Sequence, residues 1–101
     1  MADDFNYQNI DDIFQSRIRL AILSVLITVE KAEFSFLKEK TKATDGNLGA
    51  HLKKLEDVEY ILTNKMFIER KPVSIYTITE KGRKAIEAYL NTLENLFGKQ
   101  E

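Results

Sequence analysis

A chain of 101 residues with 44% hydrophobic content has enough apolar material for one domain around one core, and too little for two. It contains no cysteine, which excludes a disulfide framework and thiolate metal sites, and its single histidine leaves too few soft ligands for a zinc or iron centre, so no metal and no cofactor is expected. The longest apolar stretch, Leu20 to Val29, is broken by Ser24 and Thr28 and is too short for a bilayer, and the acidic opening Met1-Ala2-Asp3-Asp4 lacks the basic start of a signal peptide. The expectation is a soluble cytoplasmic protein without a membrane partner. The formal net charge is −1 but unevenly spread: residues 1–40 carry 5 basic and 7 acidic side chains, residues 41–84 carry 9 and 6, and residues 85–101 carry 1 and 3. A basic middle between acidic ends is by itself an ordinary surface, and what it means depends on what the middle builds.

Residues 1–10 are polar and aperiodic, and read as a loose N-terminal arm. From Asp11 or Asp12 a helical pattern begins, with Ile13, Ile18, Ile22, Val25 and Val29 on one side and Leu20, Leu23 and Ile27 on another. Such a helix is apolar around most of its circumference and needs two neighbours. Ser35, followed by Lys38 and Glu39, reads as the cap of a short helix to about Thr41 with Phe36 and Leu37 turned inward, and Lys42-Ala43 as a turn. Thr44 caps the next helix, Asp45 sits in its first turn where the helix dipole favours a carboxylate, and Leu48, Leu52 and Leu55 repeat at i, i+4 and i+7 to about Asp57.

Two extended runs follow, Tyr60 to Ile68 and Val73 to Ile78, rich in β-branched and aromatic residues, with Pro72 expected near the tip between them, where no ladder donor is needed. Thr79 then caps a long last helix whose Ile86, Tyr89, Leu90, Leu93, Leu96 and Phe97 form an amphipathic stripe. Helix, tight turn, helix and hairpin in this order are the plan of a winged helix-turn-helix: mainly α with a small β-hairpin, here with extended terminal helices. One domain, residues 1–101, is expected, with the helix over residues 80–97 available for dimerisation.

The second helix of the pair has an unusual outer surface. Opposite Leu48, Leu52 and Leu55 it carries Gly46, Ala50, Lys53 and Asp57, while Asn47, His51 and Lys54 run along one flank. Gly46 and Gly49 each cost roughly 1 kcal/mol relative to alanine in a helix interior, so they either mark a frayed N-terminal turn or bring an offsetting advantage, of which close approach to DNA is one. Ala50 suits a thymine methyl, Asn47 has the donor and acceptor pair of an adenine reader, and Lys53 and Lys54 suit guanine acceptors or phosphates. His51 lies nearer the leucine face, which makes it a structural residue first, bonded to backbone or phosphate rather than to a metal.

The stretch from Phe14 to Leu23, together with Phe36-Leu37-Lys38, the run Thr44 to Glu56 and the exit Ile75-Tyr76-Thr77-Ile78-Thr79-Glu80-Lys81-Gly82-Arg83, resembles the prokaryotic winged helix-turn-helix transcriptional regulators, and most nearly the small single-domain group related to the MarR and ArsR repressors. The resemblance covers roughly residues 12 to 93. It implies that the helix bearing Thr44, Asn47, Gly49, Ala50, His51, Lys53 and Lys54 reads the major groove of double-stranded DNA, and that Arg70 and Lys71 on the wing touch backbone or minor groove. Gly49 stands where relatives often place serine, and Glu69 sits beside the basic pair of a short wing. Without cysteine, no metal effector carries over from the arsenical-repressor relatives, and no residue argues for a small-molecule effector.

The expected function is a sequence-specific transcriptional regulator acting as a homodimer on a palindromic operator, with Leu20, Leu23 and Ile27 of the first helix and Tyr89, Leu93, Leu96 and Phe97 of the last at the two-fold interface. The alternative is a winged-helix protein-protein interaction module without DNA binding, since the fold hosts both uses. An enzyme is not expected: there is no Gly-rich phosphate loop and no Ser-His-Asp or Cys-His set, and Asp3-Asp4 and Asp11-Asp12 read as solvated charges.

Overall fold

Ser16 opens the first helix. Its hydroxyl accepts a hydrogen bond from the backbone N–H of Arg19 at 3.2 Å, and α1 runs Arg17–Val29 in the computed structural model, which describes residues 12–98. The arm over residues 1–10, with Asp3-Asp4 and Asp11, lies outside the described residues. The expected helix start at Asp12 is too early. Asp12–Phe14 instead form one 3-10 turn, closed by the Gln15 N–H on the Asp12 carbonyl at 3.0 Å, and it buries Ile13 and Phe14.

Glu30 takes a left-handed φ of 72° and ends α1. A strand that the sequence reading did not contain follows at once: β1, Lys31–Glu33. Only Ala32 in it is buried, so it has no periodicity to read, and its partners are remote, with Lys31, Ala32 and Glu33 pairing antiparallel with Thr77, Tyr76 and Ile75. β1 also moves the start of the next helix. α2 spans Phe34–Thr41 and begins where the strand ends, on Glu33, whose side chain makes no capping bond, so Ser35 lies inside the helix rather than capping it. Lys42, at φ 60°, closes α2 by donating its N–H to the Lys38 carbonyl at 2.9 Å.

α3, Asp45–Asp57, has the cap and the length expected, the Thr44 hydroxyl accepting from Asn47 N–H at 3.2 Å. β2, Ile61–Ile68, and β3, Lys71–Ile78, make the wing, and the sheet order is β1-β3-β2. The wing tip differs from expectation. Ile68 pairs with Lys71, so the turn consists of Glu69 and Arg70 alone, both at positive φ (52° and 68°) as a primed two-residue turn requires. Pro72 is therefore near the tip but within β3, opposite Phe67, rather than in the connection between the strands. Thr79 caps α4, Glu80–Phe97, accepting from Gly82 N–H at 2.9 Å.

The core lies where the three N-terminal helices meet the base of the sheet. Ile22, Leu23, Leu26, Leu37, Leu48, Leu55 and Ile61 are essentially solvent-free. Each such side chain contributes about 1.5–3 kcal/mol relative to exposure, which makes this cluster the main stabilising element. α4 joins it through Ala85, Ile86 and Tyr89, with Tyr89 stacked on Phe14 at 4.5 Å between ring centroids. Gly82 makes the junction possible, because a Cβ there would collide with the Tyr60 carbonyl, which itself accepts from Thr79 N–H at 2.9 Å. Beyond Tyr89 the stripe leaves the core: Leu90 and Phe97 are 53% and 77% exposed, and the described residues extend 56 × 24 × 24 Å.

Candidate nucleic-acid interface

α3 presents two faces of opposite character. Leu48, Leu52 and Leu55 are buried in the core, where α3 lies against α1 and β2, and Gly46, Asn47, Ala50, Lys53, Lys54 and Asp57 are exposed on its other sides. A Cβ added at Gly46 or Gly49 would meet nothing within 4 Å, so neither glycine is required by packing within the chain. That leaves about 1 kcal/mol of helix propensity unaccounted for inside the monomer at Gly49, while Gly46 lies in the first turn, where the interior penalty applies only in part. Thr44 is occupied at the cap, and Asp45 makes an exposed ion pair across the turn with Lys38 of α2 at 2.7 Å.

The lysines differ in availability. Lys53 Nζ lies 2.8 Å from Asp57 Oδ1, and that hydrogen bond raises the ammonium pKa above the ordinary lysine value. Lys54 has no ion pair among the described residues. Arg70 and Lys71 are exposed at the far end of a hairpin whose strands are 8 residues each, about 26 Å at about 3.3 Å per residue.

His51 has a partner that the sequence reading did not identify. Arg19 of α1 is the buried charged residue of the core, 8% exposed, and it donates Nε–H to the Ile13 carbonyl at 2.7 Å and an Nη2 hydrogen to the Asp12 carbonyl at 3.3 Å. Its Nη1 donates to His51 Nδ1 at 2.9 Å. Burial, then the Arg19 charge, then that of Lys54 lower the His51 pKa below its ordinary value, which keeps the imidazole neutral at neutral pH. One signal was present in the sequence: an arginine set among the apolar residues of α1 must find acceptors within the fold. Which acceptors it finds depends on how α1, α3 and the 3-10 turn pack.

The residues expected at a two-fold interface divide. Leu23 is 1% exposed and wholly within the single-chain core, so it has no surface to offer a partner. Leu20, Tyr89 and Leu93 are half-buried, and Ile27, Leu96 and Phe97 are exposed at 37%, 36% and 77%. Among the described residues there is no cluster of three or more His, Cys, Asp or Glu side chains arranged to hold a metal, and no helix long and apolar enough to cross a membrane.

A family model for a winged helix DNA-binding domain matches residues 18–97, and the chain belongs to that family. It is 46% identical over 78 residues to an uncharacterised protein of Methanocaldococcus jannaschii, covering 77% of this chain and 85% of that one. Among solved structures it is similar to a transcriptional regulator homologue from Pyrococcus horikoshii OT3, with a TM-score of 0.79, 29% identity and 86% of each chain covered. It also shares its fold with an ArsR family transcriptional regulator, with a TM-score of 0.62 and 24% identity over 89% of this chain and 88% of the other. The four α-helices and the three-stranded antiparallel sheet with a projecting hairpin among the described residues are the winged helix of DNA-binding transcriptional regulators.

Proposed function

We infer that this chain is a sequence-specific transcriptional regulator that binds double-stranded DNA as a homodimer on a palindromic operator, and that it is not an enzyme. The observation that carries the reading is the outer surface of α3: two glycines unexplained by internal packing, a small Ala50, and exposed Asn47 and Lys54, on a helix held by three buried leucines in a family of DNA-binding domains. Thr44, Gly49 and Ala50 allow close approach, Asn47 discriminates bases, Lys53 and Lys54 engage phosphate or guanine, and Arg70 and Lys71 touch the neighbouring backbone or minor groove. The exposed end of α4 supplies the two-fold interface.

The test is selection of the purified protein on random duplex DNA. An enriched palindrome with half-sites about 10 base pairs apart, or a multiple of that, is the expected result. A second reading, a protein-binding module on the same fold, is favoured by the internal neutralisation of Lys38 and Lys53 by Asp45 and Asp57. Under that reading random duplex DNA is not retarded even at low salt.

A further inference from the structure

Arginine has only donors, so the 2.9 Å contact from Arg19 Nη1 leaves His51 Nδ1 a single role, that of acceptor. A neutral ring accepting at Nδ1 carries its proton on Nε2. Thr63 Oγ1 is the one buried side-chain N or O atom without a hydrogen bond among the described residues, so His51 Nε2, which has no partner there, opens to solvent. That Nε2–H sits on the flank of α3 between Asn47 one turn before and Lys54 one turn after, the three residues sharing one stripe. The guanidinium behind the ring is anchored on the Ile13 and Asp12 carbonyls, which fixes the ring in place and puts a buried positive charge behind an outward-pointing donor.

A donor of set orientation backed by a cation suits an anionic oxygen. Its position at the edge of the helix, toward the leucine face, fits the wall of a DNA groove rather than the floor, where bases are read. We propose that His51 is a phosphate-contacting residue that donates Nε2–H to the DNA backbone, and that Arg19 is its positioning residue, holding the tautomer from within the core. The assignment rests on the DNA-binding reading above. It gives Arg19 a part in recognition without any contact to DNA, and it ties the 3-10 turn at Asp12–Phe14 to the placement of α3.

Because His51 is the only histidine, nitrogen-15 NMR of the imidazole reads the tautomer without assignment. In the free protein at neutral pH the expected signature is an unprotonated Nδ1 and a protonated Nε2, with the Nε2–H resonance moving on addition of duplex DNA. Arg19→Lys, which keeps the charge and loses the planar fork, is expected to give a tautomer mixture in a folded protein. His51→Phe is expected to weaken binding about tenfold on specific and random duplexes alike, the worth of one hydrogen bond to a charged acceptor. Because the ring is neutral, the slope of log affinity against log salt stays unchanged. His51→Gln, which retains an amide donor, is expected to recover most of that loss, and it supplies the comparison if the phenylalanine variant folds poorly. A protonated Nδ1 in the parent overturns the role of Arg19. A parent that binds duplex while both His51 variants bind equally well overturns the phosphate contact and leaves the DNA reading standing, whereas a parent that binds no duplex overturns both.

Discussion

Lys53 holds its ammonium 2.8 Å from the carboxylate of Asp57, one turn further along the exposed side of α3. A cation on the surface proposed to meet DNA is thus matched by an anion on the same helix, and that pairing competes with phosphate for Lys53. Asp57→Asn is expected to raise affinity for random duplex at low salt and to steepen the salt dependence by up to about one phosphate contact, about 0.9 in slope. Replacing Lys53 and Lys54 together by alanine is expected to flatten it by up to about two such contacts. Binding isotherms over a salt series decide it, and a slope identical in all three proteins removes these residues from the interface.

Asn47 donates its backbone N–H to the Thr44 cap and leaves its side chain exposed, so truncation spares the fold. Asn47→Ala is expected to cost about 1–3 kcal/mol on the best site while random-sequence binding stays nearly intact. Equal losses on both kinds of duplex assign it to phosphate instead.

At the wing tip, Glu69 and Arg70 occupy left-handed backbone without glycine or asparagine, at φ 52° and 68°. That conformation costs a non-glycine residue about 1–2 kcal/mol, so retaining arginine there calls for a use of the side chain. Arg70→Gly is expected to raise the melting temperature while lowering DNA affinity. Reversing the charges of Arg70 and Lys71 is expected to weaken specific and non-specific binding alike. Unchanged affinity in both variants reduces the pair to charges that keep an edge hairpin soluble.

Gly82 is set against the Tyr60 carbonyl with no room for a Cβ. Gly82→Ala forces α4 away from β2 or breaks the Thr79 N–H bond to Tyr60, at a cost of roughly 1–3 kcal/mol in chemical denaturation despite the better helix propensity of alanine. Stabilisation by the same substitution would show that α4 is free to shift.

The proposed dimer rests on α4, whose Leu90, Leu96 and Phe97 remain exposed after Ala85, Ile86 and Tyr89 have joined the core. Burying several of these against a two-fold mate at about 1.5–3 kcal/mol each suffices for a stable dimer. Mass in solution across a dilution series is expected to report a dimer for the parent and a monomer when Leu93, Leu96 and Phe97 are made polar. A parent that stays monomeric at tens of micromolar sinks the dimer, and the palindromic operator with it.

Features under the control of short-range chemistry are legible in the chain. Thr44 and Thr79 can be recognised as caps because a hydroxyl and the N–H three residues on are local neighbours, and both bonds form. The Leu48, Leu52 and Leu55 repeat defines the inner face of α3, and hence by subtraction its outer face, because side-chain direction along a helix follows from residue number alone. Tertiary structure decided the rest. β1 exists only because Thr77, Tyr76 and Ile75 stand beside it, some 40 residues downstream, and once formed it takes the helix start from Ser35. The return strand begins at Lys71 rather than at Val73 because register, not composition, sets a hairpin turn, and the Ile68–Lys71 pair leaves two residues for it and takes Pro72 into the strand. The bond between Arg19 and His51 joins residues 32 apart in the chain, so no periodicity could disclose it. A buried guanidinium must find acceptors, but packing alone chooses which ones, and here it chose the histidine on the face proposed to meet DNA.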